Sequence, residues 1–217
     1  MTPLFGPVMQ LGFVVPDFEA AAHHWAKLGV GPFFALEGIQ YAECHYRGKP
    51  VDFTMSVAVG QWGHVQVELI QQTGGMPTGD TEFAERYGSG LQHVGVMTQS
   101  VAADLERFAA LGVKPAQAGA TANGIRFAYM DTDALPGAHP GTMLELIEHG
   151  PAIDAFFAAI PADVRHGGSQ AYFAPTFDHI QMPSPSAFRS RDHYASTRLH
   201  ETVHWSGHAS RLGRASS

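Results

Sequence analysis

Hydrophobic and polar positions along this chain follow two periods, and the switch from one to the other is made twice in the same order. Met9–Val15 is a short apolar run closed by Pro16 and Asp17; Phe18, Ala21, Ala22, Trp25 and Leu28 then recur at helical spacing until Gly29. This order predicts a strand feeding an amphipathic helix, with Asp17 accepting free amides of the first turn and Gly29 stopping the last. Gln92–Thr98 opens a second such unit, with Ser100 as the cap and Val101, Leu105, Phe108 and Leu111 as the apolar stripe before Gly112. Beyond each helix the helical period is lost. Phe33–Arg47, Val51–Val59 and His64–Gln71 read as strands in the first unit, and Ala116–Ala120, Ile125–Asp131 and Thr142–Glu148 in the second, with turn-forming residues between them. The expected class is α+β: a βαβββ module over residues 8–72 and another over 91–149, joined through a short helix near Thr81–Arg86.

Laid over one another without a gap, Gln10–Pro32 and His93–Pro115 share Gly12, Ala20, Ala26, Leu28, Gly29, Val30 and Pro32 at matching places. Farther on, VELI at Val67–Ile70 answers LELI at Leu144–Ile147. Repeated units of this kind fold as copies packed together, and the seam between them is the natural place for a shared site. On the last strand of each copy, Val65, Val67 and Leu69, or Leu144 and Leu146, turn toward the helix and leave Glu68 and Glu145 on the other face. A carboxylate centred in an apolar strand is costly to bury unless a cation or donors meet it. Two of them at matched places call for a shared cation. Gln10 and His93 open the first strand of each copy, so the expected metal ligands are Gln10, Glu68, His93 and Glu145. Mixed nitrogen and oxygen ligation suits Zn, Ni, Co, Mn or Fe(II) and does not choose among them.

Composition narrows the partners more than the chemistry. The chain of 217 residues is 45% hydrophobic and 15% charged, ample for a real core. Its formal charge is −7, and residues 151–217 are nearly balanced, which argues against a nucleic-acid or membrane surface. Cys44 is the single cysteine, no signal peptide is evident, and no apolar run is long enough to span a bilayer; the expected location is cytoplasmic.

Residues 8–150 resemble the vicinal oxygen chelate superfamily, which includes glyoxalase I, methylmalonyl-CoA epimerase, extradiol dioxygenases and bleomycin-resistance proteins. The stretches that carry the likeness are QLGFVVPDFEAAAHHWAKLGVGPFF, HVQVELIQQ, LQHVGV and HPGTMLELIE. In that family the ligands come from the first and last strands of each module, which here falls on Gln10, Glu68, His93 and Glu145. The ligand order is similar to glyoxalase I, whereas GVGPFF and ELIQQ look closer to the epimerase-like branch. The resemblance implies a metal-dependent lyase or isomerase that abstracts a proton next to a carbonyl and stabilises the enediolate or enolate so formed. Glu145 is the first choice as catalytic base and Glu68 the second. The implied partner is a small-molecule carbonyl or thioester substrate, with Arg47, Lys49 and Arg126 as candidates to hold an anionic group, and the fold is compatible with a homodimer. A non-catalytic small-molecule binding module on the same fold is the first alternative.

The tail, residues 151–217, is a different object. Six of the 13 histidines lie in 166–217, and His200-Glu201-Thr202-Val203-His204 is an HExxH sequence. On a helix its histidines sit one turn apart on one face and can bind Zn, with Glu201 placed as the base that activates water. RHGGSQAYFAPTFDHIQMP, FRSRDHYASTRLHETVHWSGH and SRLGR resemble the zincin metallopeptidase domain of ArdC-type antirestriction and polyvalent proteins. That family takes a further acidic ligand from a helix downstream of SRL, beyond Ser217, so the resemblance implies a partial, mostly helical zincin-like segment, vestigial or fused. His208 is the substitute within reach, but Gly207 is expected to end the helix before it. Zinc peptidase or antirestriction activity from this segment is the second alternative.

Overall fold

In the computed structural model, which describes residues 5–122, 124–137, 141–148, 157–188, 191–208 and 210–211, both expected caps are in place. Asp17 Oδ1 accepts from the Ala20 amide at 2.9 Å and Ser100 Oγ from the Ala103 amide at 3.2 Å. The chain divides into two units, Met1–Asp154 and Ala155–Ser217.

In the first unit, strand β1 (Gln10–Val14) leads into helix α1 (Phe18–Lys27), followed by β2 (Phe34–Ile39), β3 (Tyr41–Tyr46), β4 (Lys49–Pro50), β5 (Phe53–Trp62) and β6 (Val65–Gly75). Helix α2 (Gly79–Tyr87) joins this copy to β7 (Gly90–Thr98), α3 (Val101–Ala110), β8 (Pro115–Thr121), β9 (Arg126–Met130) and β10 (Met143–Glu148). All ten strands form one sheet in the order β2-β5-β6-β1-β7-β10-β9-β8-β3-β4. Each copy sets its last strand parallel to its first, and β1 and β7 meet antiparallel at the seam.

The stretch expected as one strand, Phe33–Arg47, is two. It bends at Gly38, whose φ of +65° suits a residue without a Cβ, and breaks at Gln40. Its first half pairs with β5 of its own copy, while its second half crosses to β8 of the other. One residue thus joins strands near opposite ends of the sheet, so the sheet curls round on itself.

The curl separates two kinds of core. On the outside, α1 sets Phe18 against Val67, Leu69 and Ala58, and α3 sets Phe108 against Val96, Met130 and Leu146. Each fully buried side chain of this size stabilises the fold by about 1.5–3 kcal/mol. On the inside, Phe53, Met55, Val57, Ile70, Phe127 and Tyr129 cluster on the face that also carries Glu68 and Glu145.

In the second unit β11 (Asp163–His166), β12 (Tyr172–Ala174) and β13 (His179–Met182) form a sheet in the order β11-β13-β12, followed by helix α4 (Arg191–Ser206). These strands are three or four residues long, too short for alternation to reveal them, and the 16-residue helix is the longest element among the described residues of the unit. No helix among the described residues is long and apolar enough to cross a membrane.

Candidate metal centre

Register alone brings the four expected ligands together. One row across the sheet runs Gln10, Gly95, Glu145 over β1, β7 and β10; the next runs Glu68, Gly12, His93 over β6, β1 and β7. In each row a glycine stands between two ligands, and Gly12 and Gly95 are matching positions of the repeat. The reason is space. A Cβ on Gly12 would coincide with the His93 imidazole, and one on Gly95 would lie 2.9 Å from Gln10 Oε1 and 3.4 Å from Glu145 Oε2. The glycine of each copy therefore lets a ligand of the other lean across it.

His93 Nε2 lies 3.3 Å from Glu145 Oε2 and 3.5 Å from Glu68 Oε2, and the three residues offer ligand atoms within 4.8 Å of one another. Ligands at about 2.0–2.2 Å from one ion stand about 3.0–3.5 Å apart, so this spacing fits. His93 is fully buried and Gln10 and Glu145 nearly so, yet Gln10 Oε1, His93 Nε2 and Glu145 Oε2 have no hydrogen-bond partner. Buried polar atoms without partners are strongly disfavoured, and a cation satisfies all three at once. Gln10 is oriented for this by its own amide, which donates to Gln66 Oε1 at 2.7 Å and turns the carbonyl oxygen away.

The electrostatics agree. Burial pushes the Glu145 carboxyl up to about 7 against the opposing pull of His93; Glu68 adds to the rise, and a hydrogen bond with Tyr129 works against it. At His93 burial acts downward, but the carboxylates of Glu145 and Glu68 outweigh it and the net shift is upward. Burial beside these acids raises the Tyr129 phenol well above its usual range, so it remains a proton donor. Its ring stands edge-on to His93 at 5.0 Å.

Sequence reasoning missed Tyr129, Gln92 and Asp80. Tyr129 reaches the site through its pairing with Glu145, a register no single strand reveals. Gln92 follows a bulge: Gly12 pairs with His93 and Phe13 with Leu91, so Gln92 is an extra residue on β7 and shares the side of its neighbour. Its Oε1 lies 2.9 Å from His93 Nδ1, and its Nε2 donates to Asp80 Oδ1 at 2.7 Å. A polar pair inside the apolar LQHVGV strand was the available signal.

Of the residues expected to hold an anionic group, Arg47 is engaged elsewhere. Its guanidinium pairs with Glu82 at 2.8 Å and Asp131 at 3.4 Å, and Tyr46 also hydrogen-bonds Glu82, which ties α2 to β3. Lys49 and Arg126 are exposed on β4 and at the start of β9. Cys44 is buried and its thiol is pushed up to about 12 by burial, whereas His45 is paired with Glu43. Those two residues do not act together.

In the second unit, α4 carries HExxH with the Nε2 atoms of His200 and His204 3.1 Å apart and Glu201 buried. Helix α4 ends at Ser206, and His208 beyond it turns to Ser210 Oγ at 2.8 Å. Among the described residues Glu68, His93 and Glu145 are the one group of three or more such ligands. Leu212–Ser217 lie outside the described residues.

Residues 9–129, more than half of the chain, match the model of the Glyoxalase/Bleomycin resistance protein/Dioxygenase superfamily, and the chain belongs to that superfamily. Residues 151–217 match the Zincin-like metallopeptidase model. Among curated proteins, the Uncharacterized protein y4eC of Sinorhizobium fredii is 48% identical over 61 residues, 28% of this chain and 20% of that protein. The DNA primase TraC of Escherichia coli is 47% identical over 58 residues, 26% of this chain and 6% of that protein. The chain therefore spans a fifth or less of the length of these relatives. Among solved structures, methylmalonyl-CoA epimerase from Mycobacterium tuberculosis is 18% identical with a TM-score of 0.49, covering 71% of this chain and 95% of that one. The Mn(II)-bound antirestriction protein ArdC from plasmid R388 is 48% identical with a TM-score of 0.30, covering 31% of this chain and 26% of that one.

Proposed function

We propose that the first unit is a metal-dependent isomerase or lyase that moves a proton next to a carbonyl in a thioester or α-keto substrate. The observation that carries this reading is the set of three buried, partnerless ligand atoms on Gln10, His93 and Glu145, facing Glu68 across the seam. When bound there, a divalent ion supplies a Lewis acid for the substrate carbonyl. Glu145 is the base. Burial raises its carboxyl in the metal-free site and a bound cation opposes that rise, so the loaded centre would present an ionised carboxylate able to take a proton. Tyr129 hydrogen-bonds that carboxylate and limits its movement. Phe53, Met55, Ile70 and Phe127 on the same face keep bulk water away, which strengthens every charge interaction within.

The test is entry of solvent deuterium at the α-carbon of methylmalonyl-CoA, other acyl-CoA thioesters and α-keto acids, followed by mass spectrometry. Exchange is expected with at least one of them, and Glu145→Gln is expected to slow it about 10²–10⁴-fold. Unchanged exchange in that variant would remove Glu145 as the base. No exchange by the metal-loaded protein would leave a binding module on the same fold.

A second reading concerns the tail, because the Nε2 atoms of His200 and His204 lie 3.1 Å apart, a spacing that two ligands of one ion can take. Two histidines make an incomplete zinc site, so its affinity is expected to be the weaker of the two. Elemental analysis after dialysis should find one metal per chain in the wild type and the same in a His200→Ala, His204→Ala variant. Loss of the metal with those histidines would move the principal site to the tail.

A further inference from the structure

We propose that Asp80 and Gln92 are positioning residues that decide which nitrogen of His93 faces the metal centre, making α2 and the β7 bulge part of the site. Burial pushes the Asp80 carboxyl up and the hydrogen bond from Gln92 opposes the rise, but the oxygen that meets Gln92 accepts whether or not the other one carries a proton. Asp80 Oδ1 takes this bond from Gln92 Nε2 at 2.7 Å, while the Thr78 hydroxyl, 3.3 Å from Oδ2, gives its one proton chiefly to Gln72 Oε1 at 2.7 Å. With its NH₂ group committed to Asp80, Gln92 presents its carbonyl oxygen to His93 Nδ1 at 2.9 Å. A carbonyl oxygen also only accepts, so Nδ1 carries the proton and Nε2 keeps the lone pair that faces Glu68 and Glu145. The opposite amide orientation would set two acceptors against each other at Asp80 and place a proton on Nε2, inside the centre.

The relay is held rigidly. Thr78, Asp80, Gln92 and His93 are all buried, the Gly79 amide donates to Gln117 Oε1 at 3.0 Å, and Thr78 and Thr81 form a reciprocal cap at the start of α2. A buried acid at that place is offset by the free amides and dipole of the helix N-terminus. A simple staple between α2 and the sheet would need no charge. The accepting oxygen at the Asp80 end is what gives the chain of hydrogen bonds a direction, as the outer partners of metal-bound imidazoles do.

The consequence for metal affinity rests on the metal-centre reading; the tautomer does not. The full chain in a His200→Ala, His204→Ala background is titrated with Co²⁺ and followed by its visible absorption. The ¹⁵N shifts of the metal-free His93 ring are read at alkaline pH, where the imidazole is neutral. Nδ1–H is expected in the parent, and Asp80→Asn, whose amide can donate and so release Gln92 to flip, is expected to lower the Nδ1–H fraction and weaken Co²⁺ about 10–100-fold. Thr81→Val, which breaks the reciprocal cap and leaves the hydrogen bonds of Asp80 and Gln92 alone, should lower the thermal midpoint and leave Co²⁺ affinity within about twofold. Undiminished affinity and tautomer in Asp80→Asn, or equal weakening in Thr81→Val, overturns the proposal. Should Asp80→Asn not fold, the parent shifts decide, because His93 with its proton on Nε2 overturns the relay by itself. A parent that takes up no Co²⁺ sinks the metal reading alone, and the shifts still decide the relay.

Discussion

Gly12→Ala is expected to release metal from the centre while leaving most of the sheet intact. The added methyl would occupy the place of the His93 ring, which has no free space to retreat into because it is fully buried and backed by Gln92 and Tyr129. Either the imidazole swings out or β1 and β7 part at the seam. Overpacking of this kind costs about 1–3 kcal/mol of stability, and loss of a properly placed imidazole weakens metal binding about 100-fold or more. Gly95→Ala should be milder, since its methyl would press on the flexible ends of Gln10 and Glu145 at 2.9 and 3.4 Å. Gly74→Ala, whose methyl meets nothing within 4 Å, serves as the control on the same sheet. Co²⁺ titration and calorimetry of the three variants should rank them in that order. Equal affinity in Gly12→Ala and Gly74→Ala would mean that His93 is not a ligand.

Stability of the metal-free protein is expected to fall as pH rises, and divalent metal is expected to reverse the trend. The folded Glu145 carboxyl titrates at about 7 against an ordinary 4.5, so between those values the folded state holds a proton that the unfolded chain has released. Folding therefore becomes less favourable with rising pH across that window, by about 3 kcal/mol for this group. His93 has the same sign. Its raised value gives stability that is present below 6.5 and lost as pH climbs through the folded value. A bound cation replaces those protons, so metal affinity should climb with pH and the loaded protein should keep its midpoint where the metal-free form loses it. At a free concentration of about 100 times Kd the stabilisation is about 2.7 kcal/mol. Scanning calorimetry from pH 5 to 8, with metal and with chelator, measures both slopes. Parallel slopes would show that Glu145 and His93 do not meet the ion.

What the sequence revealed and what it hid divide along the range of the forces involved. Asp17, Ser100 and the helix stripes are local, and both strand–helix openings are where the pattern puts them. The inner face of Glu68 and Glu145 was legible because Val67, Leu69 and Leu146 fix the opposite face by burial. Both family resemblances also hold, the glyoxalase-type superfamily over the first unit and the zincin-like match over the tail. Gln92 was hidden because alternation assigns neighbours to opposite faces, and only the β1–β7 register shows the extra residue. The division of Phe33–Arg47 was hidden for a related reason: nothing within that stretch records that its second half finds its partner in β8.

That exchanged strand makes the duplication indivisible. Gln10 and Glu68 belong to one repeat and His93 and Glu145 to the other, but β3 is lent by the first to complete the edge of the second. Opening the seam would strip β8 of its neighbour as well as separating Gln10 and Glu68 from His93 and Glu145. The two halves should consequently melt in a single step, and a chain severed at α2 should yield fragments that fold only in each other's company.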